Sequence, residues 1–161
     1  MLVYDLGKMV TDKASELEGM LTHAQFSEGG EIAYLFQPKG LNPEDGQPVK
    51  SMWLIGENRI KGGTKTDLPI PLELIGTVAT DKATGFKGKI IHLTLHISGC
   101  LHALIQPRGH VKKTGAMIEP CDFDIRRLSG RKIPKLTASQ LKKSQKKKPS
   151  PAPVPRYIPK I

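Results

Sequence analysis

An internal repeat governs how this 161-residue chain folds. When the sequence is displaced by 69 positions, residues 6–40 align with residues 75–109 without a gap, and twelve of the 35 positions are identical. Average composition gives roughly two such identities by chance. The longest identical run is Thr-Asp-Lys-Ala, at residues 11–14 and again at residues 80–83. The chain is therefore predicted to contain two copies of one structural unit, each of about 55 residues.

Within each copy the apolar residues follow the pattern of short β-strands. Residues 89–97 alternate in polarity, which predicts a strand with one face formed by Ile91, Leu93, Leu95 and Ile97. A Ser-Gly turn then leads into a second apolar segment at residues 100–105, which is typical of a β-hairpin. The first copy repeats this hairpin, and each copy adds a short strand on either side of it. Four or five strands in about 55 residues favour a small barrel of the SH3-like kind.

These observations predict an all-β protein built from two tandem SH3-like barrels. The first barrel would span residues 1–60 and the second residues 72–128. The segment between them, residues 61–71, is polar and then punctuated by prolines, which indicates a linker. Residues 129–161 belong to neither repeat and are predicted to form an extended, basic, proline-rich arm. Because a barrel of this size has a small core, packing against its twin or other subunits would add stability.

The positive charge of the chain is concentrated towards its C-terminal end. The formal net charge is +10, yet residues 126–161 contain twelve of the 25 basic residues and none of the 15 acidic ones. Residues 1–125 therefore carry about −2. A basic arm of this kind is suited to an acidic protein surface or, without sequence preference, to the phosphates of DNA. The arm residues expected to bind a partner are Arg131, Lys132, Lys135, Lys142, Lys143, Lys146, Lys147, Lys148, Arg156, Tyr157 and Lys160.

The sequence does not favour an enzyme. The Gly-Gly-Thr-Lys segment at residues 62–65 lacks the spacing of a phosphate-binding loop, and no nucleophile-elbow motif is present. Asp12 and Asp81, which occupy equivalent positions in the two copies, are interpreted as turn residues that accept hydrogen bonds from nearby backbone amides. We therefore expect neither catalytic residues nor a cofactor.

The histidines and cysteines leave one alternative open. His96 and His102 lie on neighbouring strands of the predicted hairpin, and with a cysteine such as Cys100 they would form a small metal site, as in a metal-dependent enzyme. His92 and His96 are separated by about 13 Å along a strand, too far to share an ion. Solvent-facing strand histidines are the favoured interpretation, so no metal is expected. Cys100 and Cys121 cannot form a disulfide framework, and both are expected to be reduced and half-buried.

The second copy resembles a group of short virion proteins of tailed bacteriophages and prophages. Residues 81–88 fit the pattern D-x-x-T-G-F-x-G, and Ser-Gly-Cys at residues 98–100 stands where these proteins have Asn-Gly-Cys. The resemblance covers residues 75–128 and implies a small barrel from a virion structural gene. In the first copy residues 15–19 replace the Thr-Gly-Phe loop, so the two loops would contact different partners. The loop residues implied in contacts are Thr84, Gly85, Phe86, Lys87 and Gly88.

The resemblance and the basic arm together favour a non-enzymatic component of the virion. The expected role is a capsid-associated cement or decoration protein, present in multiple copies, whose arm docks on neighbouring capsid or tail subunits. A neck, tail or baseplate position is one alternative, and a DNA-binding or packaging-associated protein that uses its basic arm is another. The sequence has no apolar stretch of about 18 residues and no signal-like N-terminus, so we expect assembly in the host cytoplasm without membrane contact.

Overall fold

A computed structural model of the protein describes residues 1–133. In this part of the chain there are twelve β-strands, three single turns of 3-10 helix and no α-helix, which confirms the predicted all-β class. The strands are β1 (Leu2–Tyr4), β2 (Met9–Asp12), β3 (Glu18–Phe26), β4 (Ile32–Pro38), β5 (Met52–Ile55), β6 (Ile60–Lys61), β7 (Lys65–Asp67), β8 (Val78–Asp81), β9 (Lys87–His96), β10 (Leu101–Gln106), β11 (Cys121–Asp124) and β12 (Leu128–Ser129). The 3-10 turns are Glu57–Arg59, Leu72–Leu74 and Ile125–Arg127. A helix able to span a membrane is absent from the described residues.

The sequence repeat is also a structural repeat. In the first copy the strands are hydrogen-bonded in the order β6-β2-β3-β4-β5, and in the second copy in the equivalent order β12-β8-β9-β10-β11. All of these pairings are antiparallel. In both copies a 3-10 turn leads into the last strand of the copy, β6 or β12. This strand returns to pair with the first strand of the copy, β2 or β8. The two sequence segments therefore fold by the same plan of local pairings.

The two copies share one ten-stranded sheet. The C-terminal halves of the long strands β3 and β9 pair antiparallel, with His23 opposite His96 and Phe26 opposite Leu93. At the centre of this pairing Gln25 lies opposite Thr94, and these two residues occupy equivalent positions in the repeat. An approximate two-fold axis therefore passes between them. The join between the copies is a backbone ladder as well as a chain connection.

A β-bulge shifts the faces of β9 relative to the simple alternation predicted from the sequence. The pairing with β10 skips Ile91, because Leu104 lies opposite His92 and Ile105 lies opposite Ile90. Ile90 is consequently fully buried, whereas Ile91 is only half-buried. The assignment of Ile91 to the same face as Leu93 is therefore wrong, since the bulge inserts one extra residue between them. A bulge at the equivalent point of β3 makes the same shift in the first copy.

The hydrophobic core runs through both copies but uses aromatic residues at different positions. In the first copy Phe26, Tyr34 and Phe36 are fully buried. The equivalent positions of the second copy hold the smaller Leu95, Ala103 and Ile105, and its aromatic residues, Phe86 and Phe123, pack together with ring centroids 5.5 Å apart. The volume of the core is thus filled by different side chains within one arrangement of strands.

The segment predicted as a linker, residues 61–71, joins the copies and also contributes structure of its own. It contains β7, which pairs antiparallel with the N-terminal strand β1, so that Val3 lies opposite Thr66. Val3 is fully buried, and Leu68 and Ile70 pack against the same core. The connection between the copies therefore holds the N-terminal strand against the core.

Two equivalent glycines explain part of the sequence identity between the copies. Gly19 and Gly88 lie within β3 and β9, where a Cβ atom would stand 2.4 Å from the carbonyl oxygen of Gln37 and 2.3 Å from that of Gln106. No side chain fits at these distances. Gln37 and Gln106 in turn donate through Nε2 to backbone carbonyls of the following loop, at 2.6 Å and 2.7 Å. The repeated residues thus fix the close approach of two strands and the loop beside them.

Candidate functional site: a histidine row and two unlike edge strands

The repeated Thr-Asp-Lys-Ala motif builds an ion pair in each copy. In the first copy the carboxylate of Asp12 is fully buried and accepts hydrogen bonds from Nε and Nη2 of Arg59, at 3.0 Å and 2.7 Å. It also accepts from the backbone amide and hydroxyl of Ser15, at 3.1 Å and 2.6 Å. These bonds, the guanidinium bond first, lower the pKa of Asp12 below its usual range. We call this arrangement the Asp–Arg clamp.

The second copy contains the same clamp. Asp81 is fully buried and accepts from Nε and Nη2 of Arg127, at 2.9 Å and 2.8 Å, and from the amide and hydroxyl of Thr84, at 2.9 Å and 2.5 Å. Arg127 and then Thr84 lower the pKa of Asp81 to about 2. The prediction that both aspartates cap nearby turns is confirmed. Their arginine partners were missed, although the repeat places an Arg before Ile60 and before Leu128.

Most of the loop residues for which the resemblance implied partner contacts have a role within the second copy itself. Thr84 binds Asp81, Phe86 packs against Phe123, and Gly88 is buried in β9. Gly85 has a φ of +77°, a backbone conformation that favours glycine. Lys87 is exposed. The motif therefore has a structural explanation within the second copy, and a contact with a partner stays a prediction.

Strands β5 and β11 are equivalent edge strands of the sheet, since among residues 1–133 each pairs with a single neighbour, β4 or β10. The two-residue strands β6 and β12 are the other edge strands, and they pair only with β2 and β8. In β5 the outward residues Trp53 and Ile55 are 42% and 63% exposed. The equivalent outward residues of β11 are Asp122 and Asp124. One edge is thus apolar and the other acidic.

Four polar side chains form a row across β3, β9, β10 and β11. The ring of His23 lies 4.4 Å from that of His96, and the ring of His96 lies 4.2 Å from that of His102, measured between centroids. Nδ1 of His102 donates to Oδ2 of Asp122 at 2.6 Å. The strand register explains this row, because these residues share the sheet face opposite the core. We call His23, His96, His102 and Asp122 the histidine row.

Burial and mutual proximity disfavour the protonated form of two of these imidazoles. Burial lowers the pKa of His96 and of His23, and the positive charge that His102 carries when protonated lowers both further. Nδ1 of His23 contacts the hydroxyl of Thr22 at 2.9 Å, whereas Nε2 of His96 is buried and has no hydrogen-bond partner. The row thus contains a nitrogen whose capacity to accept or donate is unused.

The prediction that His96 and His102 lie together is confirmed, but the prediction of a cysteine as the third member of the cluster is wrong. Their donor atoms and a carboxylate oxygen of Asp122 all lie within 4.8 Å of one another. Cys100, the residue expected beside them, lies 3.7 Å from Nη2 of Arg126 and is not part of this group. Cys100 and Cys121 are both free, as expected, but Cys121 is exposed and not half-buried. The signal that was missed is the register of β11, which aligns Asp124 with His102 and so turns Asp122 to the same face.

Most residues of the predicted arm lie outside the described part of the chain. Arg131 and Lys132 are described and are exposed, and Ile133 packs into the core. The remaining predicted arm contacts, from Lys135 to Lys160, fall within residues 134–161.

An open cavity of about 560 Å³ lies between the N-terminus and the β3–β4 turn. One carboxylate in its lining, Glu57, is already engaged, because it accepts from Nζ of Lys65 at 2.5 Å and from the hydroxyl of Tyr34 at 3.3 Å. Glu57 is therefore not free to bind a ligand in this cavity.

Comparisons with known proteins add no relative to this picture: no family model, no curated protein and no solved structure matches the chain.

Proposed function

We propose that this protein is a non-enzymatic structural component of a tailed bacteriophage particle, with a capsid-associated cement or decoration role. The observation that carries the proposal is the apolar free edge of the sheet at β5. An edge strand offers unpaired backbone donors and acceptors, and Trp53 and Ile55 add apolar area beside them. Tryptophan is among the residues that contribute most to protein interfaces. Edge β5 is therefore the proposed docking surface for a neighbouring virion protein.

The fold supports this proposal through the shape of each copy. Five antiparallel strands, with a 3-10 turn before the strand that returns to pair with the first, are the arrangement expected of an SH3-like barrel. We infer that the chain contains two such barrels, joined edge to edge by β3 and β9. A pair of barrels with a free apolar edge suits a protein that bridges subunits.

The basic residues of the arm give the second part of the proposal. The arm, residues 129–161, carries ten basic side chains and no acidic ones, which complements an acidic capsid or tail surface. In this proposal edge β5 provides specificity, and the arm extends the contact to a neighbouring subunit. The same arm would bind the phosphates of DNA if the protein served in packaging, so the experiment must separate the two.

The test compares particles assembled with wild-type protein and with two matched edge variants. Trp53→Asp gives β5 the residue that β11 has at the equivalent position, and Asp122→Asn is the control on the other edge. We expect Trp53→Asp to weaken binding to the particle by roughly 30-fold, the factor that follows from losing about 2 kcal/mol at a central interface residue, and so to lower the number of copies per purified particle. Asp122→Asn should leave the copy number unchanged. Quantitative mass spectrometry of purified particles measures both.

Two results would contradict the proposal. The first is full incorporation of Trp53→Asp, and the second is absence of the wild-type protein from purified particles. Affinity of the free protein for duplex DNA separates the packaging alternative. An arm with about six phosphate contacts would lose roughly a thousandfold in affinity between 50 and 200 mM salt. Limited proteolysis of free and particle-bound protein then shows whether residues after 133 become protected.

A further inference from the structure

We propose that the histidine row contains a zinc site formed by His96, His102 and Asp122. Imidazole nitrogens and carboxylate oxygens are ordinary zinc ligands, and these three side chains bring their donor atoms within 4.8 Å of one another. They come from three adjacent strands, β9, β10 and β11, so the backbone ladder fixes their spacing. The inference does not depend on the proposed role in a phage particle.

The His102–Asp122 pair requires only a small side-chain movement to accept an ion. Zinc binds histidine nitrogen and carboxylate oxygen at about 2.0–2.2 Å, so two ligands of one tetrahedral ion stand about 3.3–3.5 Å apart. Nδ1 of His102 and Oδ2 of Asp122 are 2.6 Å apart because they share a proton. A zinc ion between them would take the place of that proton, which moves to Nε2 of a neutral His102 or passes to solvent from a protonated one, and would move the two side chains apart by less than 1 Å.

His96 supplies the second argument. Its Nε2 is buried and has no hydrogen-bond partner, an arrangement that costs free energy unless a ligand occupies the site. The ring of His102 lies 4.2 Å from that of His96, so the ring that carries the unpartnered nitrogen and the His102–Asp122 pair belong to one cluster. Metal binding at this nitrogen would give a partner to a buried polar atom of the row that has none within the protein.

The site is open to an incoming ion. The side chain of Asp122 is 46% exposed and that of His102 is 26% exposed, and both lie on the sheet face opposite the core. Three protein ligands leave a fourth position for water.

The first copy provides an internal control. At the positions equivalent to His96, His102 and Asp122 it has Ser27, Ala33 and Trp53, a set without metal-binding chemistry. His92, the counterpart of His23 in the repeat, lies in β9, and its Nδ1 is also buried without a partner. A buried histidine nitrogen without a partner therefore occurs at His92 as well as at His96. Among the described residues, three donor side chains come together only at His96. His92→Ala is the matched control for substitutions in the proposed site.

The experiment is a calorimetric titration of zinc chloride into the full-length, tag-free protein after treatment with a chelator. We expect one zinc ion per chain, bound with micromolar or tighter affinity. His102→Ala and Asp122→Asn should each weaken binding by at least about 100-fold, and His92→Ala should leave it unchanged. Because His102 and Asp122 are partly exposed, both variants are expected to fold, which circular dichroism checks. Titration with cobalt(II) should give the visible spectrum of a tetrahedral ion in the wild type and in His92→Ala.

Three results would overturn the inference. One is the absence of stoichiometric zinc binding by the wild-type chain. Another is retention of wild-type affinity in His102→Ala or Asp122→Asn while these variants are folded. The third is loss of binding in His92→Ala, because this would place the ion elsewhere.

Discussion

Strands β5 and β11 occupy the same place in the two copies, and they differ most in what they present outward. Both bury one residue in the core, Leu54 in β5 and Phe123 in β11. Outward, β5 presents Trp53 and Ile55 where β11 presents two aspartates. One edge is suited to an apolar protein contact, and the other places a carboxylate beside two histidines.

This comparison shows which positions the repeat must keep and which it can vary. The residues shared by the two copies include both clamp aspartates and the glycines at Gly19 and Gly88, which build the frame. Outward positions on the edge strands are not constrained in this way, because the backbone hydrogen bonds of the ladder form whatever side chain they carry. The duplicated frame can therefore support two different surfaces.

The largest expected effect comes from the core that the copies share. Phe36→Ala removes a fully buried aromatic side chain and should lower the free energy of unfolding by about 3–5 kcal/mol. Ile105→Ala, at the equivalent position, should cost about 2–5 kcal/mol. Because β3 and β9 join the copies in one sheet, both variants should still unfold in a single transition. Urea unfolding followed by fluorescence and by circular dichroism measures this.

Two separate transitions in either variant would contradict the shared sheet. They would mean that the copies fold independently, with the β3–β9 ladder contributing little to their coupling.

The Asp–Arg clamps should make the free energy of unfolding depend on pH, with an effect of intermediate size. Arg127 lowers the pKa of Asp81 from its ordinary value of 3.8 to about 2, so the folded state favours the charged carboxylate. The stability that this provides is fully present above about pH 4 and is lost as the pH falls towards 2. The stability difference between wild type and Asp81→Asn should therefore shrink over this range. Urea midpoints measured between pH 5 and pH 2 test this.

Asp12→Asn is the matched variant, and it should behave in the same direction, since Arg59 also lowers the pKa of Asp12. A difference from wild type that stays constant with pH in both variants would show that the charge of the carboxylates does not contribute.

Equivalent glycines test whether the close approach of strands is the same in both copies. Gly19→Ala and Gly88→Ala each place a Cβ against a backbone carbonyl oxygen, which should cost about 1–3 kcal/mol through overpacking. Similar losses are expected in the two copies. Thermal unfolding of the two variants measures this, and a negligible loss in one of them would show that its strands are further apart than the structure places them.

The smallest effect concerns a contact that the first copy alone contains. The hydroxyl of Tyr34 accepts from the amide of Tyr4 at 3.1 Å and donates to Glu57 at 3.3 Å, whereas the second copy has Ala103 at this position. Tyr34→Phe should cost about 0.5–1.5 kcal/mol. Amide exchange in β1 should become faster. Unchanged exchange there would show that the hydroxyl does not hold the N-terminal strand.

The sequence was sufficient for the local features of the fold. Alternating polarity and the Ser-Gly turn predicted the β9–β10 hairpin, and the identical Thr-Asp-Lys-Ala runs identified two copies with capping aspartates. These features depend on residues close together in the chain, which is why periodicity and turn chemistry reveal them.

The missing features depend on pairings between distant residues. Nothing local indicates that β3 pairs with β9, or that the bulge at Ile91 turns Ile90 into the core. The placement of Asp122 beside His102 follows from the register of β11, which is reached only after a long loop. For this reason the histidines were identified and their carboxylate partner was not.

Hydrogen exchange at the two edge strands, in the free protein and in purified phage particles, tests the difference between the edges most directly. We predict that the amides of β5 become strongly protected in the particle, because a neighbouring protein covers Trp53 and Ile55, while those of β11 exchange as in the free protein. Equal protection of both edges, or protection of β11 alone, would contradict the assignment of docking to β5.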